Sequence, residues 1–184
     1  MHASAAAAAH FHIFFSRVAS TTATGKMSVR VVRGNLLEAS EIVVAHQCNC
    51  TTTSSAGLAA ALFAKYPAAS YAQCGKREPG HVRFFQHDSD HTIVNLYAQQ
   101  GPGGPTPPGG GRHQQDTIAN RFKWFETCMA ELARYLRAHG HRNVALPYLI
   151  GCGLARGRWS KYSLFIQEWA GANHIDVVLY QKKC

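Results

Sequence analysis

Residues 42–66 read IVVAHQCNCTTTSSAGLAAALFAKY, an apolar run, a small polar stretch and an alanine-rich run in succession. Ile42–Gln47 is a β-branched and apolar run bounded by polar residues, which predicts a buried strand. A small polar loop follows. Ala56–Tyr66 then predicts a helix, with Ser54 and Ser55 as candidate caps and Pro67 as its stop. In open α/β sheets such a loop, at the carboxyl end of a strand, is where ligands bind. Gly57 lets the backbone come close to a ligand, and the free N–H groups of a helix start favour an anion. His46 and Asn49 are the polar residues expected at the mouth of this turn.

Upstream, Val29–Arg33 predicts a strand, and downstream Ala68–Lys76 predicts a short second helix. Glu78-Pro79-Gly80 is turn chemistry, after which His81–Gln86 and Thr92–Tyr97 predict two strands joined through the polar stretch His87–His91. Thr117–His139 carries Ile118, Phe122, Phe125, Met129, Leu132 and Leu136 in steps of four and three, one continuous helical stripe. Arg121, Lys123, Glu126, Glu131, Arg134 and Arg137 lie off that stripe and are expected on a solvated face. A strand (Asn143–Leu146), a glycine-rich turn (Gly151–Gly157), a helix (Ser160–Ala170) and a last strand (Ile175–Tyr180) complete an α/β sandwich pattern. Gln100–Gln115 holds six glycines and four of the seven prolines, and is expected to be an irregular surface loop or lid within one domain.

The chain has 184 residues and a net charge of +9. That length and a hydrophobic content of 46% fit one globular domain with its own core, and argue against a disordered or collagen-like chain. No apolar run is long enough for a spanning helix, so no membrane partner is expected. Residues 1–26 contain Arg17 and Lys26 and no acid, and are rich in Ala, Ser and Thr. Three readings of this segment stand: a transit peptide, an extension with translation able to start at Met27, and a secretory signal built on Phe11, Ile13, Phe14 and Phe15. The protein would reach an organelle, chloroplast or mitochondrion, in the first case; without a leader it would be cytoplasmic or nuclear. The domain itself is expected over residues 27–184. Its six cysteines are too dispersed for a disulfide framework, and His46, Cys48 and Cys50 lack the second ligand pair of a structural zinc site, so buried thiols and no metal are expected.

A second segment between strand and helix runs Pro147-Tyr-Leu-Ile-Gly151-Cys152-Gly153-Leu154-Ala155-Arg156-Gly157-Arg158-Trp159. Its glycine pattern is neither the dinucleotide fingerprint nor a Walker A loop. It does supply what a diphosphate needs: successive backbone N–H donors, a helix start, and Arg156 and Arg158 nearby.

Taken in order, Gly34-Asn35-Leu36-Leu37, Val-Val-Ala-His46-Gln-Cys-Asn49, Ala-Gly57-Leu58-Ala, Val94-Asn95-Leu96 and Leu146-Pro-x-x-Ile-Gly151-Cys152-Gly153-Leu154 resemble the motif set of macro domains over residues 28–182. The similarity is greatest to the branch of ADP-ribose 1″-phosphate phosphatases and ADP-ribosyl-ester hydrolases. It implies a three-layer sandwich, a mixed β-sheet between helices, with an ADP-ribose cleft at one sheet edge. It implies that Asn35 lies at the adenine, Asn49 at the distal ribose with Gly57 in the loop along that sugar, and Gly151 to Arg156 around the diphosphate, with Leu36 and Leu58 also among the ligand-binding residues. His46 and Asn49 would be the catalytic pair, the histidine serving as acid or base from a reference pKa near 6.5.

Ala155 stands where one branch of the family has a catalytic acid, Lys65 is displaced from that acid's partner position, and Arg158 replaces an acid before Trp159. The resemblance therefore implies water attack oriented by Asn49 and His46. Two readings follow: a hydrolase acting on a terminal-ribose derivative of ADP-ribose (1″-phosphate or ADP-ribosyl/acyl ester), and a non-catalytic reader of ADP-ribose or ADP-ribosylated protein. No cofactor is expected, and a monomer is. Nucleic acid is the weakest partner, since Phe84, Phe85 and Tyr97 alternate with few bases.

Overall fold

The computed structural model describes residues 28–88, 91–107 and 113–182. The expected extension over 1–26, the middle of the Gly/Pro-rich loop and Cys184 lie outside them. The elements run β1 (Val29–Arg33), β2 (Val43–Asn49), α1 (Gly57–Lys65), β3 (Val82–Gln86), β4 (Thr92–Gln99), α2 (Ile118–Ala138), β5 (Asn143–Pro147), α3 (Trp159–Asn173) and β6 (Asp176–Gln181). The six strands form one sheet in the order β1-β6-β5-β2-β4-β3. All its pairs are parallel except β3 with β4, so the expected mixed sheet is present.

Strand alternation sorts the core into two layers. Val43, Ala45, Val94, Leu96, Val144, Leu146, Val177 and Leu179 turn to one face, where they meet Phe122, Phe125, Met129 and Leu132 of α2 and Ile166 and Trp169 of α3. Val44, Cys48, Ile93, Tyr97 and Ala145 turn to the other, under Leu62 and Phe63 of α1 and the turns that follow it. This is the three-layer sandwich. Helix α2 is started by the Thr117 side chain, which accepts the N–H of Asn120 at 3.1 Å, and is tied to α3 by Trp169 Nε1 donating to the Met129 carbonyl at 3.0 Å.

Three expectations change. Ala68–Lys76 forms no α-helix: Pro67–Ala69 and Tyr71–Gln73 are separate 3₁₀ turns, because Ser70 between them is extended at φ −66°, ψ 157°. Ser54 and Ser55 do not cap α1; its N-cap is Ala56, and Ser54 is instead engaged with Thr52 at 3.0 Å. Arg121 is not on a solvated face but is buried in an ion pair with Asp116.

The topology creates a crevice. From β2 the chain leaves to α1 on one face and reaches β4 on one side of β2. From β4 it crosses through α2 to β5 on the other side, and β5 leaves to α3 on the opposite face. Neighbouring strands whose loops depart to opposite faces open a gap at their carboxyl ends. Here the β2–β5 ladder pairs Val44 with Ala145, near the start of β2, and the cleft lies beyond it.

Candidate functional site

The crevice is a cleft of about 570 Å³, within the range of small-molecule sites. One wall is the first loop with the start of α1, from Thr52 to Ala59; the other is the second loop, from Tyr148 to Ala155. Pro102 and Gly103 close it from the Gly/Pro-rich loop, and His46, Gln47, Asn49, Tyr71 and Gln99 form its floor.

Asn49 builds the first wall. Its Oδ1 accepts the N–H groups of Thr51 at 3.1 Å and Thr52 at 2.9 Å, curling the loop over the strand end. Its Nδ2 donates to the Tyr71 hydroxyl at 3.1 Å, which leaves one amide N–H for the cleft. Helix α1 then begins at Gly57, φ +57°, with Ala56 as an N-cap that offers no side-chain acceptor. Gly57, Leu58 and Ala59 all line the cleft, so the first uncapped N–H groups of α1 belong to this wall.

The second wall is held in an unusual backbone. Among the described residues three non-glycines have positive φ: His174, which ends α3, and Leu149 (61°) and Arg156 (58°), which bracket this loop. Strain of this kind concentrates where a loop must hold one shape for a ligand. Gly151, φ +72°, is required for a second reason: a Cβ there would stand 2.5 Å from Tyr162 Cε1 and 2.7 Å from Gln47 Oε1. The loop therefore lies directly on the floor and on α3.

His46 is set into the floor and is 1% exposed. Its Nε2 is 2.8 Å from Asn95 Oδ1. Asn95 Nδ2 donates to the Ala69 carbonyl at 2.7 Å, so the oxygen end of that amide faces the ring and Nε2 carries the proton. Burial pushes the imidazole pKa down to about 4, and the Asn95 bond, acting the other way, does not offset it. The ring is thus neutral at physiological pH, with Cys48 Sγ 3.7 Å from Nδ1. Burial likewise pushes the thiols up, Cys50 to about 12 and Cys152 to about 11, which leaves them protonated and inert.

The expected site residues divide. The cleft gathers His46, Asn49, Gly57, Leu58, Gly151, Gly153, Leu154 and Ala155. It does not gather Asn35, which lines a separate hollow with Arg33, Gly34, Glu38 and Lys182. The Asn35 amide is spent on its own turn, accepting from Leu37 N at 3.2 Å and donating to Glu38 Oε1 at 3.3 Å. Leu36 is a core residue beneath that turn. Cys152 packs against the α2–α3 layer. Arg156 turns its side chain onto Gly104, where a Cβ would meet its Cδ at 3.0 Å. Lys65 is exposed and donates to the Leu37 carbonyl. Gln47, Tyr71 and Gln99 join the floor without a sequence signal. Among the described residues that line the cleft there is no carboxylate and no lysine, and no group of three or more potential metal ligands is assembled.

No sequence-family model matches the chain, and no curated protein matches it. Solved structures do. The macrodomain of Thermus aquaticus DarG is 21% identical, aligned over 84% of this chain and 98% of that one, with a TM-score of 0.63. The macrodomain of Mycobacterium tuberculosis DarG is 17% identical over 85% of this chain and 99% of that one, with a TM-score of 0.66. Thermosipho africanus DarTG, solved in complex with ADP-ribose, is 15% identical over 84% of this chain and 41% of that one, with a TM-score of 0.62. The chain has the macrodomain fold.

Proposed function

We propose that this protein binds ADP-ribose, or the ADP-ribosyl group of a modified protein, in the cleft between its two loops. The observation that carries the reading is the uncapped start of α1 opening into the cleft, opposite a glycine-rich loop held in left-handed backbone. A diphosphate is recognised by such clustered N–H donors without any neighbouring lysine. A neighbour of the same fold, DarTG of Thermosipho africanus, carries ADP-ribose, which supports the choice of ligand.

Binding is the reading we favour over hydrolysis of a 1″-phosphate or an ADP-ribosyl ester. A general acid needs a labile proton near neutral pH, and the His46 ring, pushed down to about 4 by burial, holds only the Nε2 proton that it donates to Asn95. We assign it a framework role, and Asn49 the role of shaping the wall that meets the distal ribose. Calorimetric titration with ADP-ribose, followed by incubation with ADP-ribose 1″-phosphate and with a glutamate-linked ADP-ribosyl peptide, tests this. Saturable binding without product is expected. Product release would make the protein a hydrolase, and absence of binding would overturn both readings.

A further inference from the structure

Arg121 lies in the first turn of α2 and is 2% exposed. Its guanidinium donates to both oxygens of Asp116, Nε to Oδ1 at 2.7 Å and Nη2 to Oδ2 at 2.6 Å. The same group donates to four backbone carbonyls: Gly103 at 2.6 Å and Ala155 at 3.2 Å from Nη1, Gly104 at 3.0 Å and Gly101 at 3.2 Å from Nη2. Three of these belong to the Gly/Pro-rich loop that closes the cleft; the fourth belongs to the second loop, which adjoins it. One side chain therefore ties together two rims that are far apart in sequence.

The pair also reaches the floor. Asp116 accepts the N–H groups of Gln100 at 3.2 Å and Gly101 at 2.8 Å. Gly101 is thus held at both its N–H and its carbonyl, and that carbonyl also accepts Gln99 Nε2 at 2.9 Å. Only the NH₂ end of an amide can face a carbonyl, so Gln99 Oε1 is left to accept Gln47 Nε2 at 2.8 Å. The Gln47 amide, on the cleft floor, is oriented in turn, and its Oε1 is left buried beneath Gly151 without a protein partner.

A buried ion pair is a poor device for stability alone, because the cost of removing two charges from water offsets most of their attraction and an apolar pair often serves as well. Six acceptors around five N–H groups, one hydrogen being shared at Nη2 and four of the acceptors being loop carbonyls, describe a brace. We propose that Arg121 with Asp116 is a positioning pair for the cleft: it fixes the separation of the two rims and, through Gly101 and Gln99, the direction of the Gln47 amide. Ligand affinity then depends on two residues that touch no ligand. This rests on the cleft being the ADP-ribose site proposed above.

The test compares wild type with Arg121→Lys and with the double variant Arg121→Met, Asp116→Leu, which removes the pair without orphaning a charge. Three quantities are read: Tm, the Kd for ADP-ribose well below Tm, and amide hydrogen exchange of residues 100–104 and 151–157. The expected result is a double variant that still unfolds cooperatively, binds about tenfold or more weakly, and exchanges faster in both segments together. Arg121→Lys keeps the charge but not the fork, and is expected to recover part of the affinity. Wild-type affinity in either folded variant would overturn the proposal, as would faster exchange in one segment alone. If the double variant does not fold, Arg121→Lys decides by the same readings. Failure of wild type to bind ADP-ribose would sink the ligand assignment, while the exchange readings would still decide whether the pair braces the two rims.

Discussion

His46 Nε2 donates to Asn95 Oδ1 at 2.8 Å, between residues that stand side by side in the β2–β4 ladder. The bond links the floor of the cleft to the buried core of the sheet, and through Asn95 Nδ2 to the Ala69 carbonyl of the turn below α1. A side chain that sequence motifs mark for chemistry is in this way committed to the framework.

That commitment predicts a pH dependence. The folded state holds His46 neutral down to about pH 4, whereas an unfolded histidine takes up its proton near 6.5. Between those values the unfolded chain binds the extra proton, so the contribution is fully present above about pH 6.5 and is lost as pH falls toward 4. The loss is on the order of 3 kcal/mol, read as the fall in urea-unfolding free energy from pH 7.5 to 4.5. His46→Phe should flatten that slope; an unchanged slope would show that His46 is not the group responsible.

Asp116 acts further down the scale. Burial alone would raise its carboxyl, but Arg121 and the N–H groups of Gly101 and Gln100 outweigh burial and hold it below its ordinary value. A lowered carboxylate stabilises above its unfolded pKa and stops doing so as pH falls through the folded one. Hydrogen exchange of residues 100–104 should therefore stay slow to below pH 4, once corrected for the intrinsic pH dependence of exchange, and rise there. In Asp116→Asn it should be fast throughout.

Ala56→Asp should separate stability from binding. Ala56 already has the extended backbone of an N-cap, φ −138°, ψ 162°, and lacks only the acceptor. An aspartate there satisfies the first N–H groups of α1 and should stabilise the fold by about 1 kcal/mol, seen as a higher Tm. It also places a negative charge where the diphosphate is proposed to sit, so ADP-ribose affinity should fall by about tenfold or more. Unimpaired binding would place the diphosphate elsewhere.

Gly151→Ala meets three obstacles at once: positive φ, Tyr162 Cε1 at 2.5 Å and Gln47 Oε1 at 2.7 Å. Neither neighbour can give way cheaply, because Tyr162 on α3 is packed against Phe122 and Phe125 of α2 and the Gln47 amide is fixed by Gln99. A destabilisation of about 1–3 kcal/mol by chemical denaturation is expected, together with loss of ligand binding. Gly153→Ala, at a glycine with open space around it, serves as the control and should retain stability.

Much of this was legible in the sequence, for physical reasons that also set its limits. The strands and α2 follow from apolar periodicity, and both loops from the change of period at His46 and Pro147. The resemblance implies ligand contacts for Asn35, and the charge of Arg156 points to an anion, but neither motif position nor residue type gives side-chain direction. Asn35 turns onto Leu37 and Glu38, and left-handed Arg156 turns onto Gly104. Arg121 was hidden because helical periodicity assigns a face without knowing what covers it; in the first turn of α2 the cover is the Gly/Pro-rich loop, and its partner lies in the loop before the helix. Gln47 and Gln99 meet where the β2–β4 register slips between Gln47 and Asn49, an irregularity with no sequence marker.

ADP-ribose is proposed to bind in the cleft between α1 and the second loop. The most direct test is a calorimetric titration of ADP-ribose into wild type and Ala56→Asp. Saturable one-to-one binding to wild type is expected, weakened by about tenfold or more in the better-folded variant. Contradiction would be the absence of saturable binding to wild type at millimolar ligand, or equal affinity in the two proteins.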